Sequence, residues 1–186
     1  MNKRGLIMKN NITVFMGSPR RNGNSDKLAE AFIAGTKSTD SIVNVIFVRE
    51  KDINGCIGCE YCYEHNGECA QQDDMQQIYK ILESTDIIVF ATPIYFQSFP
   101  SQLKAVIDRL YVMENRIFPI RGAVLLATYA TSGEEMSKQT VDYFKCLINY
   151  HKWENKGIIA VSSLDEKDDI IGNIALMRAE ELGKTL

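Results

Sequence analysis

The sequence has no basic excess: 21 lysines and arginines stand against 24 aspartates and glutamates, a formal net charge of -3. Without surplus cations to displace counterions from a phosphate backbone or to settle on an anionic bilayer, neither nucleic acid nor a membrane is an expected partner. Long hydrophobic runs are missing as well. The longest, Ile87 to Phe96, is about half of the ~20 residues a spanning helix needs, and Pro93 interrupts it. Lys3 and Arg4 are followed by a short apolar run, Gly5 to Met8, that stops at Lys9 and is too brief for the core of an export signal. A cytoplasmic location is therefore expected, with Met1 to Ile7 read as an upstream extension. No Ser/His/Asp set or paired carboxylates stand out, which leaves hydrolase chemistry without residues to perform it. Internal repeats, low-complexity tracts and linkers are lacking too, so residues 1–186 read as one domain, and 45% hydrophobic content suffices for its core.

What the sequence does contain is alternation. Five runs rich in β-branched residues recur: Ile12 to Met16, Ile42 to Val48, Ile87 to Ala91, Ala123 to Ala127 and Ile158 to Val161. Most are continuously apolar, the pattern of strands buried on both faces of a parallel sheet. Between them lie helical stripes at i, i+3, i+4 spacing, such as Leu103, Val106, Ile107 and Leu110, or Val141, Phe144 and Ile148. Strand and helix in alternation predict an α/β fold of right-handed βαβ units, a flavodoxin-like three-layer sandwich with a five-stranded parallel sheet of order 2-1-3-4-5. Ligands of such sheets sit beyond the carboxyl ends of the strands, at the switch point between strands 1 and 3. Three loops are thereby singled out: Gly17 to Ser25, Thr92 to Pro100 and Thr128 to Glu134.

The first loop concentrates groups that suit an anion. Ser18 and Ser25 carry hydroxyls, Asn22 and Asn24 amides, and Arg20 and Arg21 guanidinium groups, while Gly17 and Gly23 allow close backbone approach at a helix start. Ser25 as a plain helix cap in an ordinary turn is the simpler reading. The spacing matches neither the Gly-x-Gly-x-x-Gly dinucleotide fingerprint nor the Gly-x-x-x-x-Gly-Lys-Ser/Thr loop, which favours a mononucleotide phosphate.

The run Gly17-Ser18-Pro19-Arg20-Arg21-Asn22-Gly23-Asn24-Ser25, with Ala91-Thr92-Pro93-Ile94-Tyr95-Phe96 and Leu103-Lys104-Ala105-Val106-Ile107-Asp108-Arg109, closely resembles the NADPH-dependent FMN reductase group of the flavodoxin-like superfamily. The resemblance implies FMN as cofactor, NAD(P)H as cosubstrate, a small-molecule electron acceptor and a homodimer or higher homo-oligomer. It implies no catalytic side chain, because the chemistry resides on flavin N5. Ser18, Arg20, Asn22, Gly23, Asn24 and Ser25 would hold the phosphate. Pro93, Ile94, Tyr95 and Phe96 would run along the flavin ring, the plainer alternative being that Tyr95 and Phe96 are core or dimer-contact aromatics, a reading that fits Phe99 equally well. Tyr129, Ala130, Thr131, Ser132 and Gly133 would meet negative charge on the reduced flavin, or Thr131 and Ser132 would simply cap a helix.

Four of the five cysteines fall in a loop at about 49–72 as Cys56-x-x-Cys59-x-x-Cys62 followed by Cys69. The first three repeat at ferredoxin-type spacing, with Gly55, Gly58 and Gly67 free to turn N–H groups toward sulfur. Ala70 stands where bacterial ferredoxin runs carry proline. This compact motif resembles that of the iron-sulfur flavoproteins, which implies a 4Fe-4S cluster and, as an alternative electron donor, ferredoxin. Tetrahedral zinc, and unmetallated redox or structural thiols, fit four cysteines too, which leaves a non-enzymatic redox or zinc sensor on the same fold as a further alternative. The loop is expected to share the sheet's exit edge with the flavin, about 10 Å away. Cys146 is expected to be buried, His65 a solvated loop residue, His151 and Trp153 packing groups, and Asp73 and Asp74 helix-dipole partners.

Overall fold

The computed structural model describes residues 9–186, so the expected extension over Met1 to Ile7 lies outside the described residues. Within them the chain alternates as expected. The strands are β1 (Asn11–Met16), β2 (Ile42–Phe47), β3 (Ile87–Pro93), β4 (Gly122–Thr128) and β5 (Glu154–Val161). The helices are α1 (Asn24–Thr36), α2 (Tyr61–Glu64), α3 (Met75–Leu82), α4 (Ser101–Arg109), α5 (Lys138–Tyr150) and α6 (Ile174–Lys184). All strands pair in parallel in the order β2-β1-β3-β4-β5. No described helix is long and apolar enough to cross a membrane.

Alternate side chains along the central strands divide the core into two layers, as a pleated sheet buried on both faces requires. Phe15, Ile88, Phe90 and Leu125 pack beneath α3, α4 and α5, with Tyr79, Leu103, Val106 and Phe144. Val14, Val89, Ala91 and Leu126 face α1 and α6, with Leu28, Phe32 and Ala179. Every residue of β3 and β4 is buried, whereas the edge strands β2 and β5 are largely half-exposed.

Three departures from expectation have local causes. β5 begins at Glu154 rather than Ile158, because an edge strand tolerates the polar start Glu154-Asn155-Lys156, and its pairing with β4 is irregular at Ala123/Val124. The cysteine-rich loop contains a short helix, α2, at Tyr61–Glu64. Cys146 is exposed, since α5 turns Thr140, Phe144 and Ile148 inward and Cys146 lies off that stripe. His65 is exposed and stacks on Tyr61, while Trp153 is buried, both as expected.

Helices α1 and α6 meet on bare backbone. A Cβ added to Gly35 would stand 2.0 Å from the Glu180 carbonyl oxygen, and one on Gly183 would stand 2.1 Å from that of Phe32. Gly35→Ala or Gly183→Ala must therefore push the two helices apart. Either substitution is expected to lower stability by about 3 kcal/mol, the upper end of an overpacking cost, read as a lowered urea midpoint.

Candidate functional site

Two loops diverge where β1 and β3 end side by side. Gly17 N–H donates to the Ala91 carbonyl across 2.7 Å, fixing the exit of β1 against β3. A Cβ on Gly17 would lie 2.6 Å from Leu103 Cδ2, so α4 begins against bare backbone there. The loop then folds back on itself. Ser18 Oγ donates to the Arg20 carbonyl (3.0 Å) and accepts the Arg20 N–H (3.2 Å), while Asn22 takes a left-handed φ of 54° that asparagine tolerates well. Gly23, not Ser25, is the N-cap of α1, and no side chain caps the helix. Ser25 is thus no cap, and the positive end of a 13-residue helix faces the loop with first-turn N–H groups available to an anion.

A buried ion pair braces this loop from behind. Arg49, in the helical turn after β2, places Nη1 3.1 Å from Asp26 Oδ2 and 3.3 and 3.4 Å from the carbonyls of Ser18 and Arg20. Asp26 also accepts the Asn22 N–H at 2.9 Å. Burial pushes the Asp26 carboxyl above its ordinary value, outweighing the Arg49 charge and the Asn22 hydrogen bond that pull it down. Sequence reasoning missed both residues. Their signal, an Asp in the first turn and an Arg just past β2, is legible only once β2 is known to lie beside β1. Arg21, by contrast, turns outward to Glu50 at 3.1 Å.

A cavity of about 190 Å³ opens above the loop, lined by Ser18, Arg20, Gly23, Asn24, Ser25, Pro93, Ile94, Tyr95, Thr128, Tyr129 and Ala130, with Leu164 and Asp165. A second of about 310 Å³ shares Ile94, Tyr129 and Ala130 with the first and adds Phe96, Gln97, Thr131 and Met136. The three expected loops therefore converge on one continuous cleft. Asn22, Ser132 and Gly133 line neither cavity. Asn22 shapes the turn, and Gly133 accepts a hydrogen bond from Tyr129 Oη at 3.2 Å. Asn24 uses its side chain on the protein itself, donating to the Glu166 carbonyl (2.8 Å) and accepting the Ile170 N–H (3.3 Å). This tether draws the loop after β5 over the cleft and brings in Leu164 and Asp165, from a fourth loop that sequence analysis did not single out.

The end of β3 makes a tight turn. Tyr95 and Ser98 exchange backbone hydrogen bonds at 2.9 and 3.0 Å, and the two residues between them, Phe96 and Gln97, both have positive φ, 49° and 65°. Two-residue turns of this hand normally hold glycine or asparagine. Phe96 bears that strain while fully exposed at the tip, and Thr140 Oγ1 secures the turn by donating to the Gln97 carbonyl at 3.0 Å. Phe99 is buried in the core.

The four cysteines line a separate small cavity of about 20 Å³, together with Ile57, Gly58, Glu60, Ala70, Gln71, Arg109, Tyr111 and Val112. Gly58 and Gly67 take positive φ, and Gly58 N–H lies 3.5 Å from Cys56 Sγ. Burial raises the Cys62 thiol above its ordinary value, with the other three thiols adding to the effect. The loop is closed at its neck. Gln71 Nε2 donates to the Gly55 carbonyl (3.0 Å), and Asp73 accepts the N–H groups of Asn54 (3.1 Å) and Met75 (3.0 Å). Asp73 also pairs with Arg109 at 2.7 Å, so it does more than complement a helix dipole. The two cavities share no lining residue. Helix α4 starts near Gly17 and ends at Arg109, nine residues or about 13 Å further on, so one helix has an end at each site.

An uncapped helix start at the switch point of a 2-1-3-4-5 parallel sheet, opening into an aromatic-walled cleft, defines the class of flavodoxin-like α/β proteins. The chain belongs to the NADPH-dependent FMN reductase family, which it matches over residues 10–151. An iron-sulfur flavoprotein of Archaeoglobus fulgidus is 35% identical over 95 residues, 51% of this chain, and that match spans 43% of the relative's own length. An iron-sulfur flavoprotein of Methanosarcina thermophila is 28% identical over 171 residues, covering 91% of this chain and 84% of the relative. In fold alone, the chain is similar to an NAD(P)H:quinone oxidoreductase from Methanothermobacter marburgensis, with a TM-score of 0.78, 18% identity and coverage of 95% and 96%.

Removing Arg49 tests the brace. Arg49→Met leaves the Asp26 carboxyl buried beside an anion site with its cation gone, which is expected to cost about 3 kcal/mol of stability. The same change is expected to weaken FMN binding by tenfold or more, about 1.4 kcal/mol, read by fluorescence titration of apoprotein.

Proposed function

We propose that the chain is an FMN-dependent oxidoreductase that takes electrons from NAD(P)H and passes them to a small acceptor such as a quinone, a free flavin or a metal complex. The observation that carries this reading is the continuity of an uncapped helix start with an aromatic-walled cleft. The combined site has the size of ordinary cofactor pockets, roughly 300–1,000 Å³. Ser18, Arg20, Ser25 and the first-turn N–H groups of α1 would hold the FMN phosphate, with Gly23 leaving open space for its approach. Ile94, Tyr95, Phe96 and Tyr129 would flank the ring, and the N–H groups of Ala130 and Thr131 would sit near its pyrimidine edge. When bound, FMN supplies both two-electron and one-electron transfer, which no side chain of this chain offers. The protein's share is binding, orientation and the exclusion of water by the loop that Asn24 tethers. With no separate dinucleotide fingerprint, nicotinamide and acceptor are expected to use the same open face in turn.

A second reading is supported by the cysteine cavity. There Cys56, Cys59, Cys62 and Cys69 would hold a 4Fe-4S cluster, and ferredoxin would serve as the donor. A lone zinc ion at about 2.3 Å from each sulfur needs the four thiols about 3.8 Å apart. Among the described residues no three His, Cys, Asp or Glu side chains converge on an ion-sized point, yet all four thiols border one cavity. The ferredoxin-type spacing of the first three cysteines is what favours a polynuclear group. A bound cluster supplies one-electron transfer. A homodimer is part of the proposal, and sedimentation velocity at twice the chain mass is its expected outcome.

Protein prepared without oxygen separates the readings. NADH or NADPH is expected to bleach the bound flavin, and turnover with a quinone is expected to be ping-pong. A flavin that ferredoxin reduces and neither nicotinamide does would refute the first reading and keep the second. Cys59→Ser is expected to lower iron and acid-labile sulfide sharply while leaving FMN content unchanged, measured by metal analysis and absorbance. Equal iron in the variant and the wild type would refute the ligand assignment.

A further inference from the structure

Arg109 is the largest fully buried side chain among the described residues, 1% exposed. A guanidinium cannot shed its charge, so burial demands partners for its donors. Four of its contacts lie on the shoulders of the cysteine loop. Nη1 donates to the Asn54 carbonyl (3.0 Å) and Asp73 Oδ2 (2.7 Å), and Nη2 to the Gln71 carbonyl (3.4 Å) and Asp73 Oδ1 (3.2 Å). Asn54 precedes Cys56, while Gln71 and Asp73 follow Cys69, so one side chain gathers both ends of the loop onto the end of α4. The backbone is held too, because Tyr79 Oη donates to the Arg109 carbonyl at 2.8 Å.

The fifth donor is different. Nε of Arg109 is buried and has no hydrogen-bond partner. Arg109 borders the cavity of the four thiols and Asp73 does not, so the positive end of the pair is the end that meets the cavity. Burial works against the charge on Arg109, and Asp73, Tyr79 and Cys69 more than offset it.

We propose that Arg109 is a positioning residue of the four-cysteine site, clamping the two shoulders of the loop and setting a fixed positive charge beside the group the thiols hold. This rests on the reading that Cys56, Cys59, Cys62 and Cys69 hold an iron-sulfur cluster. Four thiolates around such a cluster leave it anionic, and reduction adds one more negative charge. Net charge and hydrogen bonds to sulfur set the potential of these clusters, and a cation in a poorly solvated pocket favours the reduced form. Asp73 opposes that effect through its own charge. The two residues of one ion pair should therefore shift the potential in opposite directions.

The test uses wild type, Arg109→Met, Arg109→Lys and Asp73→Asn, each reconstituted anaerobically with iron and sulfide. Folding is checked by circular dichroism and FMN content, loading by iron and sulfide analysis, and potential by an EPR-monitored redox titration. Arg109→Met is expected to disfavour reduction at least tenfold, a fall of about 59 mV for one electron. Arg109→Lys is expected to recover most of that loss, and Asp73→Asn to shift the potential upward. In metal-free protein, Arg109→Met is expected to speed amide hydrogen exchange at Asn54 and Met75, the N–H groups Asp73 accepts, while exchange in β3 is unchanged. A loaded Arg109→Met protein with the wild-type potential overturns the proposal, as do Met and Asn variants that shift the same way, or neck amides that exchange no faster. If Arg109→Met takes up no iron, the Lys and Asn variants decide the sign. Wild-type protein that takes up neither iron nor sulfide refutes the cluster reading itself, a result distinct from a loaded variant whose potential does not move.

Discussion

The contact on which the rest depends is the closure of β1 against β3 at their carboxyl ends, where Gly17 N–H meets the Ala91 carbonyl. From that pair the chain winds outward in both directions, to β2 on one side and to β4 and β5 on the other. Right-handed crossovers then send the loops after β1 and β3 away from each other and leave a cleft between them. A side chain at position 17 would meet Leu103 and force it to shift at the start of α4. The smallness of one residue thus sets the floor of the cradle and the position of the helix that runs from it.

The fold was legible because its driving term is hydrophobic burial in a fixed period. Continuous apolar runs at Ile12 to Met16, Ile87 to Ala91 and Ala123 to Ala127 became the three central strands, buried on both faces. Legibility fell at the edges, where half-exposed strands carry polar residues, as at Glu154 to Lys156. It fell again at Cys146, because a thiol's burial depends on which side of a helix it occupies, and the α5 stripe of Thr140, Phe144 and Ile148 leaves it in water. The phosphate loop, the Pro93 to Phe96 segment and the Tyr129 to Thr131 segment were readable as a set because each follows a strand. Three kinds of information were not readable: the tether from Asn24 that imports Leu164 and Asp165, the strained turn at Phe96 and Gln97, and the closing of the cysteine loop's neck by Arg109. All three depend on contacts between residues far apart in sequence, or on backbone dihedrals that no local pattern records.

Two buried ion pairs repeat one device. Asp26 sits in the first turn of α1 and Asp73 just ahead of α3, and each accepts a backbone N–H from the loop that leads into its helix. Each is met by an arginine from a neighbouring element, Arg49 or Arg109, which also binds two backbone carbonyls of that loop. In both arginines Nε is buried without a partner. A buried pair of this kind contributes little net stability, because desolvation consumes much of the attraction, but breaking it is costly. Its effect is to select one loop conformation out of many, since only one brings the carbonyls and N–H groups to the same guanidinium and carboxylate.

The economy of the arrangement lies in α4. Its first turn packs Leu103 beneath the phosphate loop, and its last residue, Arg109, closes the neck of the cysteine loop. A helix of nine residues is stiff on this scale, and Val106 and Ile107 fix it to the sheet between its ends. The two cavities share no wall, yet they are held in register by one element whose ends reach both. Loss of packing at its start would be felt at the thiols, and loss of the ion pair at its end would free the loop without disturbing the cradle. That asymmetry follows from where the loops attach: the start of α4 packs directly against the backbone of the first loop, whereas the cysteine loop is gathered onto its far end by the Arg109–Asp73 pair and the guanidinium's carbonyl contacts.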